Sequence, residues 1–337
     1  MPDQLQLAPL PFPTRIPADY ESFVLADEPA WDPAVHLALA SPSGALSLLD
    51  LGYDSAESAL AASPLGVTAP FQVFSPAGLE AVRMVCLALQ ANAMVGTDDR
   101  APSYIPGAGY RSKFIHDLCH DATVVAHVSA LAGIALAPHS MADCQAYINY
   151  APRDVSKAVD SWHIDSIAFD MVLMLSDPTK LVGGRLEFLK MSRQRASDLF
   201  GTTVDQLHLG YPLDVPEAEL ASAQFSAAGT GVVQQGTHVV HRASRLETAG
   251  ERITLVLGYI PLDQSGADPT NVDYMATWGH PGISAELARH AAWLSSQQLA
   301  ALVAQIDPDA SAASAATALR AAVANVERVI SALDASG

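Results

Sequence analysis

Hydrophobic and polar positions along this chain change their period twice. The run 75–93, SPAGLEAVRMVCLALQANA, opens on Ser-Pro and continues in good helix formers, which predicts a helix with proline in its first turn. A second helix is predicted over 111–133, where Phe114, Leu118, Val124, Val125, Val128 and Leu131 recur at helical spacing. The middle of the chain then breaks into short β-rich runs at 143–150, 167–175, 184–190, 229–235 and 252–260, separated by Gly, Pro and Asp. Five or more such runs predict a sandwich or barrel, against whose flat face the helices bury one side. After Pro281-Gly282 the helical period returns, over 284–306 and again over 313–334, where Leu319, Val323, Val326, Ile330 and Leu333 form one stripe. The segment 191–228 is long for a hairpin connection and reads as a lid or binding loop. Five prolines in residues 1–17 favour an extended arm, and no internal repeat is visible.

Composition narrows the classes. A chain of 337 residues accommodates two domains, or one large β-rich domain with helical additions. Hydrophobic residues make up 50% and charged residues 16%, so a buried core forms and global disorder is excluded. The 18 Lys+Arg against 36 Asp+Glu leave a net charge of −18, which repels phosphate backbones and anionic lipid. No basic patch offsets it, so neither nucleic acid nor membrane is an expected partner. Three cysteines without a CxxC pair exclude a disulfide framework and a thiolate zinc site. The longest apolar stretches are too short to span a bilayer and the N-terminus lacks a signal peptide's features, so the expected location is the cytoplasm.

The chemistry starts at Ser161-Trp162-His163-Ile164-Asp165. On an extended strand, His163 and Asp165 project to the same side and can meet one ion. A neutral imidazole with a carboxylate suits iron(II), which takes mixed nitrogen and oxygen ligands; HxD alone also fits a hydrogen-bonded strand edge. Downstream, His241 leads through a glycine-containing turn into a strand opening on Arg252-Ile253-Thr254. If those two strands pair antiparallel, Arg252 and Thr254 lie on one face near the metal. A guanidinium fork with a hydroxyl beside it makes a site for a small dicarboxylate.

His163-x-Asp165, then His241, then Arg252-x-Thr254, resembles the signature of the iron(II)/2-oxoglutarate-dependent oxygenase superfamily, loosely in its phytanoyl-CoA dioxygenase branch. The resemblance covers about 140–262. It implies a mainly β core, a double-stranded β-helix of jelly-roll or cupin type, with flanking α-helices. The chain then divides into an arm with buttressing helices (1–140), a catalytic core (141–262, with the 191–228 insertion) and C-terminal helices (263–337), integrated into one domain. It further implies iron(II) held by His163, Asp165 and His241, with 2-oxoglutarate and O2 as cosubstrates. A small molecule, amino-acid-like or a natural-product intermediate, would be hydroxylated, desaturated or cyclised, with release of succinate and CO2. Aspartate at 165 favours these outcomes over halogenation. His238 competes with His241 for the distal position, but the eleven-residue step from His241 to Arg252 fits the family better than the fourteen from His238. An oxidase that uses iron without 2-oxoglutarate, and a non-catalytic β-helix binding protein, are the alternatives.

Around this centre, Gln145, Tyr147 and Asn149 alternate on one strand face and Tyr150 on the other, and one set faces the interior. Gln145 and Tyr150 are therefore candidates for the cosubstrate. Arg153, Lys157 and Arg185, rare cations near the expected mouth, are substrate candidates, with exposed salt bridges as the competing role. Phe169 lines the pocket or fills the core. His116, His120 and His127 read as polar residues on a helix face. The C-terminal helices, rich in small residues, either cap the domain or form a homodimer interface over 313–334.

Overall fold

The structure, a computed structural model, describes residues 25–96, 100–152, 154–263, 270–280 and 282–336. The proline-rich arm lies outside them. Strands run in chain order as β1 (Ala45–Ser47), β2 (Leu65–Thr68), β3 (Phe71–Gln72), β4 (Met94–Val95), β5 (Ser103–Ile105), β6 (Leu136–Pro138), β7 (Ala146–Tyr150) and β8 (Ala158–His163). They continue as β9 (Phe169–Met174), β10 (Leu186–Leu189), β11 (Leu220–Ser222), β12 (Thr230–Gln234), β13 (His241–Arg245) and β14 (Ile253–Pro261). The longer helices are α1 (Pro76–Leu89), α2 (Lys113–Cys119), α3 (Ala122–Ala132), α4 (Arg193–Phe200), α5 (Ile283–Gln305) and α6 (Ala312–Ser336).

From β7 onward the chain shuttles between two antiparallel sheets. The larger has the order β1-β2-β12-β9-β14-β7-β5-β4, with β3 beside β12 and β6 beside β14; the smaller has the order β11-β10-β13-β8. All six residues of β9 are buried, because this strand is flanked by β12 and β14 and covered on both faces. One face of the large sheet packs on α1, α2 and α3 in a single cluster that includes Val82, Phe114, Val128, Ile148, Phe169 and Leu255. Burying each such side chain contributes about 1.5–3 kcal/mol, which fixes the helices against the sheet behind the site.

The first helix forms as its sequence predicts: Ser75 accepts from Gly78 N–H as N-cap, and Pro76 occupies the first turn. The predicted single helix over 111–133 is instead interrupted. The Asp121 carboxylate accepts from the amides of Thr123 and Val124, starting α3 afresh, while Trp31 Nε1 donates to its other oxygen. A strong N-cap inside an apolar pattern won over the helical period.

Residues 191–228 supply α4, a 3-10 segment (Val204–Leu209) and β11. Ala196 and Leu207 pack with Trp162, Leu189 and Val240 on the outer side of the small sheet. The insertion therefore covers this sheet and touches the mouth of the site at His208, whose carbonyl accepts from Arg100 Nη1 at 2.6 Å. Helices α5 and α6 pack together; Leu287, Ala291 and Val329 cover Met141, Cys144, Val272 and Met275. No helix among the described residues is long and apolar enough to cross a membrane.

Candidate metal centre and its cavity

His163 ends β8 and His241 begins β13, and they are direct partners in the antiparallel register. Directly opposed residues bring their Cβ atoms to about 5 Å, and the two imidazole centroids lie 4.3 Å apart. Each ring is fixed through Nδ1 by a backbone carbonyl two residues earlier, Ser161 O at 2.6 Å and Val239 O at 2.9 Å. That places the lone pair on Nε2 in both rings, and the His241 one faces Gln234 Nε2 at 3.2 Å. Asp165 completes the group from the turn after β8, with Oδ1 3.4 Å from His163 Nε2 and Oδ2 3.5 Å from His241 Nε2. All three ligand atoms lie within 4.8 Å of one another, and the group fits a facial metal site.

Asp165 is placed by its amide, which donates to Gly236 O at 2.9 Å. A Cβ on Gly236 would lie 2.5 Å from Asp170 Oδ2 and 2.8 Å from Asp165 Oδ2, so only glycine leaves room for both carboxylates. Burial alone would raise the Asp165 carboxyl, but His241, His163 and Arg100 together hold it well below the usual carboxylate range. Burial pulls His241 down to about 4, so it is neutral and ready to bind a cation at pH 7. Asp170, fully buried beside Asp165, is pushed well up by burial and by that neighbour, and Gln234 Nε2 contacts both carboxylates.

Arg252 and Thr254 reach this centre by a route different from the predicted one. The strand carrying them does not pair with β13; β14 lies in the opposite sheet, between β7 and β9. Both side chains enter the same cavity across the sandwich. Arg252 is 2% exposed, its Nε donates to Gly184 O at 3.0 Å, and no carboxylate of a described residue lies within 4.0 Å of it. Burial lowers the guanidinium to about 10, against the opposing effect of Asp160, and it stays cationic at pH 7. Gly184, at φ +65°, clears its path: a Cβ there would sit 3.1 Å from Arg252 Cδ.

The cavity between the sheets measures about 320 Å³. On β7 it is Tyr147 and Asn149 that line it. Gln145 and Tyr150, the expected cosubstrate residues, point elsewhere. Gln145 lies in the turn before β7, outside the strand alternation, and its Nε2 donates to His139 O. Tyr150 has the opposite parity and donates from its hydroxyl to Cys86 O on α1 at 2.6 Å. Lys157 and Arg185 are exposed and lie outside the cavity lining, and Arg153 lies outside the described residues. Phe169 is fully buried in the helix-facing core, opposite Tyr259. His238 packs on Tyr53, away from the cavity.

Several lining residues escaped the sequence reading. Arg100 binds Asp160 at 3.0 Å and lies 4.0 Å from Asp165 Oδ1. Tyr104 stacks on Tyr147, and Tyr274, Trp278 and His280 come from the segment after β14. The acidic run before Arg100 and the aromatic spacing Tyr274-x-x-x-Trp278 were the available signals, but neither has a periodicity that assigns a direction.

No family model and no curated protein matches this chain. Solved structures similar to it include two non-heme α-ketoglutarate-dependent enzymes and one protein solved with 2-oxoglutarate bound. One is the epimerase SnoN from nogalamycin biosynthesis, at 16% identity and TM-score 0.39, with 58% of this chain and 84% of that chain covered. Another is the carbocyclase SnoK from the same biosynthesis, at 14% identity and TM-score 0.44, with 66% and 88% covered. HygX from Streptomyces hygroscopicus, solved with nickel, 2-oxoglutarate and hygromycin B, is similar at 16% identity and TM-score 0.42, with 58% and 83% covered. At these levels what the site can do rests on its own residues.

Proposed function

We propose that this chain is an iron(II)- and 2-oxoglutarate-dependent oxygenase acting on a small molecule, built on a double-stranded β-helix. The observation that carries the reading is the triad: two imidazoles with the lone pair on Nε2 and a carboxylate held ionised, converging within 4.8 Å in a cavity also lined by the buried Arg252 guanidinium. The strand orders β12-β9-β14-β7 and β11-β10-β13-β8 support the architecture, because from β7 onward the first strand in each sheet, β7 or β8, pairs with the last, β14 or β13.

His163, Asp165 and His241 would hold the metal. Three ligands with one negative charge leave iron(II) a net positive charge and open positions for cosubstrates. When bound, iron couples the oxidative decarboxylation of 2-oxoglutarate to oxidation of the substrate. For hydroxylation the balance is R–H + 2-oxoglutarate + O2 → R–OH + succinate + CO2. Arg252 meets the far carboxylate of the diacid with a fork aimed by Gly184, and Thr254 adds a hydroxyl. Arg100 holds Asp160 and Asp165 toward the mouth without taking a coordination role, since a guanidinium donates only.

Anaerobic titration with iron(II) and 2-oxoglutarate tests the reading. A weak visible charge-transfer band is expected in the wild type and not in Asp165→Ala. Its absence from wild-type protein sinks the proposal, as does substrate turnover without stoichiometric succinate.

A further inference from the structure

The same cavity has a second polar anchor that the metal chemistry does not use. His280 lines it with 4% of its side chain exposed, and its Nδ1 lies 2.5 Å from the Asp143 carboxylate, which is 2% exposed. Asp143 is fixed by its backbone: its N–H donates to Glu286 Oε2 at 3.0 Å, and its carbonyl accepts from Gly107 N. The other oxygen of Glu286 accepts the Tyr110 hydroxyl. A carboxylate on Nδ1 holds the neutral imidazole in its Nδ1–H form and leaves a lone pair on Nε2. No described residue hydrogen-bonds to that Nε2, so a buried acceptor is available to whatever fills the cavity.

The surrounding wall is aromatic. The Trp278 ring lies 5.1 Å from His280 and meets Tyr274 edge-on at 5.8 Å, while Tyr104 and Tyr147 stack at 5.4 Å with 12° between their planes. All four line the cavity, whose volume of about 320 Å³ is shared with the diacid and leaves room for a molecule of about two fused rings. Flat faces favour flat partners through offset and edge contacts.

We infer that the substrate is a planar aromatic molecule bearing a hydroxyl group, its ring held by these four side chains and its O–H donated to His280 Nε2. The inference deepens the oxygenase reading, since it names the substrate class of that same cavity. His280 is thus a specificity-determining residue and Asp143 its positioning residue. A buried acceptor left unpaired penalises an analogue that lacks the donor, whereas an added methylene in an apolar pocket is weakly discriminated.

Calorimetry with 2-naphthol and 2-methoxynaphthalene, on full-length protein with and without iron(II) and 2-oxoglutarate under nitrogen, tests it. Wild-type protein is expected to bind 2-naphthol at least tenfold more tightly than the methyl ether. His280→Ala and Asp143→Asn are expected to bring that ratio close to one, while His280→Gln, which keeps an acceptor, retains part of it. The ratio is read within each variant, so a general loosening of the fold does not mimic the effect. Equal affinities in the wild type, no binding of either compound, or an unchanged ratio in His280→Ala overturns the inference. Naphthol preference without the visible iron band would keep it and overturn the oxygenase reading instead.

Discussion

At the scale of single residues, the site separates groups that bind from groups that make room. His163→Ala or Asp165→Ala should abolish iron-dependent succinate formation with the fold retained, because neither side chain belongs to the apolar clusters that stabilise the sheets. Succinate assays paired with circular dichroism would check this; wild-type rates in either variant remove the metal assignment. Arg252→Ala should weaken 2-oxoglutarate binding by about 2–5 kcal/mol, the cost of losing a buried charge-assisted contact, and leave iron affinity nearly unchanged. A Michaelis constant for 2-oxoglutarate equal to that of the wild type would refute this. Gly236→Ala should lower iron affinity by at least tenfold in a metal titration, since its Cβ would displace Asp165 or Asp170. The three candidate ligands can be read in the sequence because HxD and the later histidine carry a chemical pattern independent of the fold. His280 and Arg100 were not: each draws its role from a partner distant in sequence, Asp143 for one and Asp160 for the other. Gln145 was misdirected because strand parity was extended one residue past the strand into a turn.

Among the elements, strands with uniform apolar composition were readable, and those set by pairing alone were not. β9 and β14 follow from their sequence, whereas β1 to β5 are two to four residues long and exist because a neighbouring strand edge is there to bond. The placement of β14 shows the limit most clearly, since its residues predict a strand but nothing local says which sheet it joins. Helix α5 brings a testable ionisation to its contact with the core. Glu286 is raised from 4.5 to about 7 by burial and by Asp143, against the Tyr110 hydrogen bond, the Asp143 amide and the Arg289 charge. Its folded form therefore binds more protons than the unfolded chain between those values. The stability this group contributes is present below pH 4.5 and is lost as pH rises through 7. With 1.36 kcal/mol per pH unit, a span of about 2.5 units corresponds to roughly 3 kcal/mol. Between pH 5 and 7.5, Glu286→Gln should show a smaller loss of stability, or a larger gain, than the wild type in urea unfolding. Parallel pH profiles for the two proteins would exclude this role.

For the molecule as a whole, the C-terminal hairpin bears on assembly. Its inner side is used within the chain, with Val329 buried on Leu287 and Met275 and the Arg328 side chain donating to Thr270 O at 3.3 Å. Leu319 and Ile330 remain 52% and 54% exposed on α6. A homodimer through this outer side predicts a dimeric mass by light scattering and a monomer for Leu319→Glu combined with Ile330→Glu. A monomeric wild type eliminates the interface. Substitution is cleaner than truncation at Asp309, which would uncover the inner cluster as well. The strand order has a consequence for how the protein is made. β14 is the last strand to be synthesised, and it lies between β7 and β9, both completed long before it. Pairings of such sequence separation form late and slowly. A chain emerging from the ribosome can align His163 with His241 before the strand that follows Arg252 has a place to insert. The nascent protein would thus acquire the means to capture iron earlier than the means to retain the diacid, and the interval between those events is set by how fast one strand finds its gap.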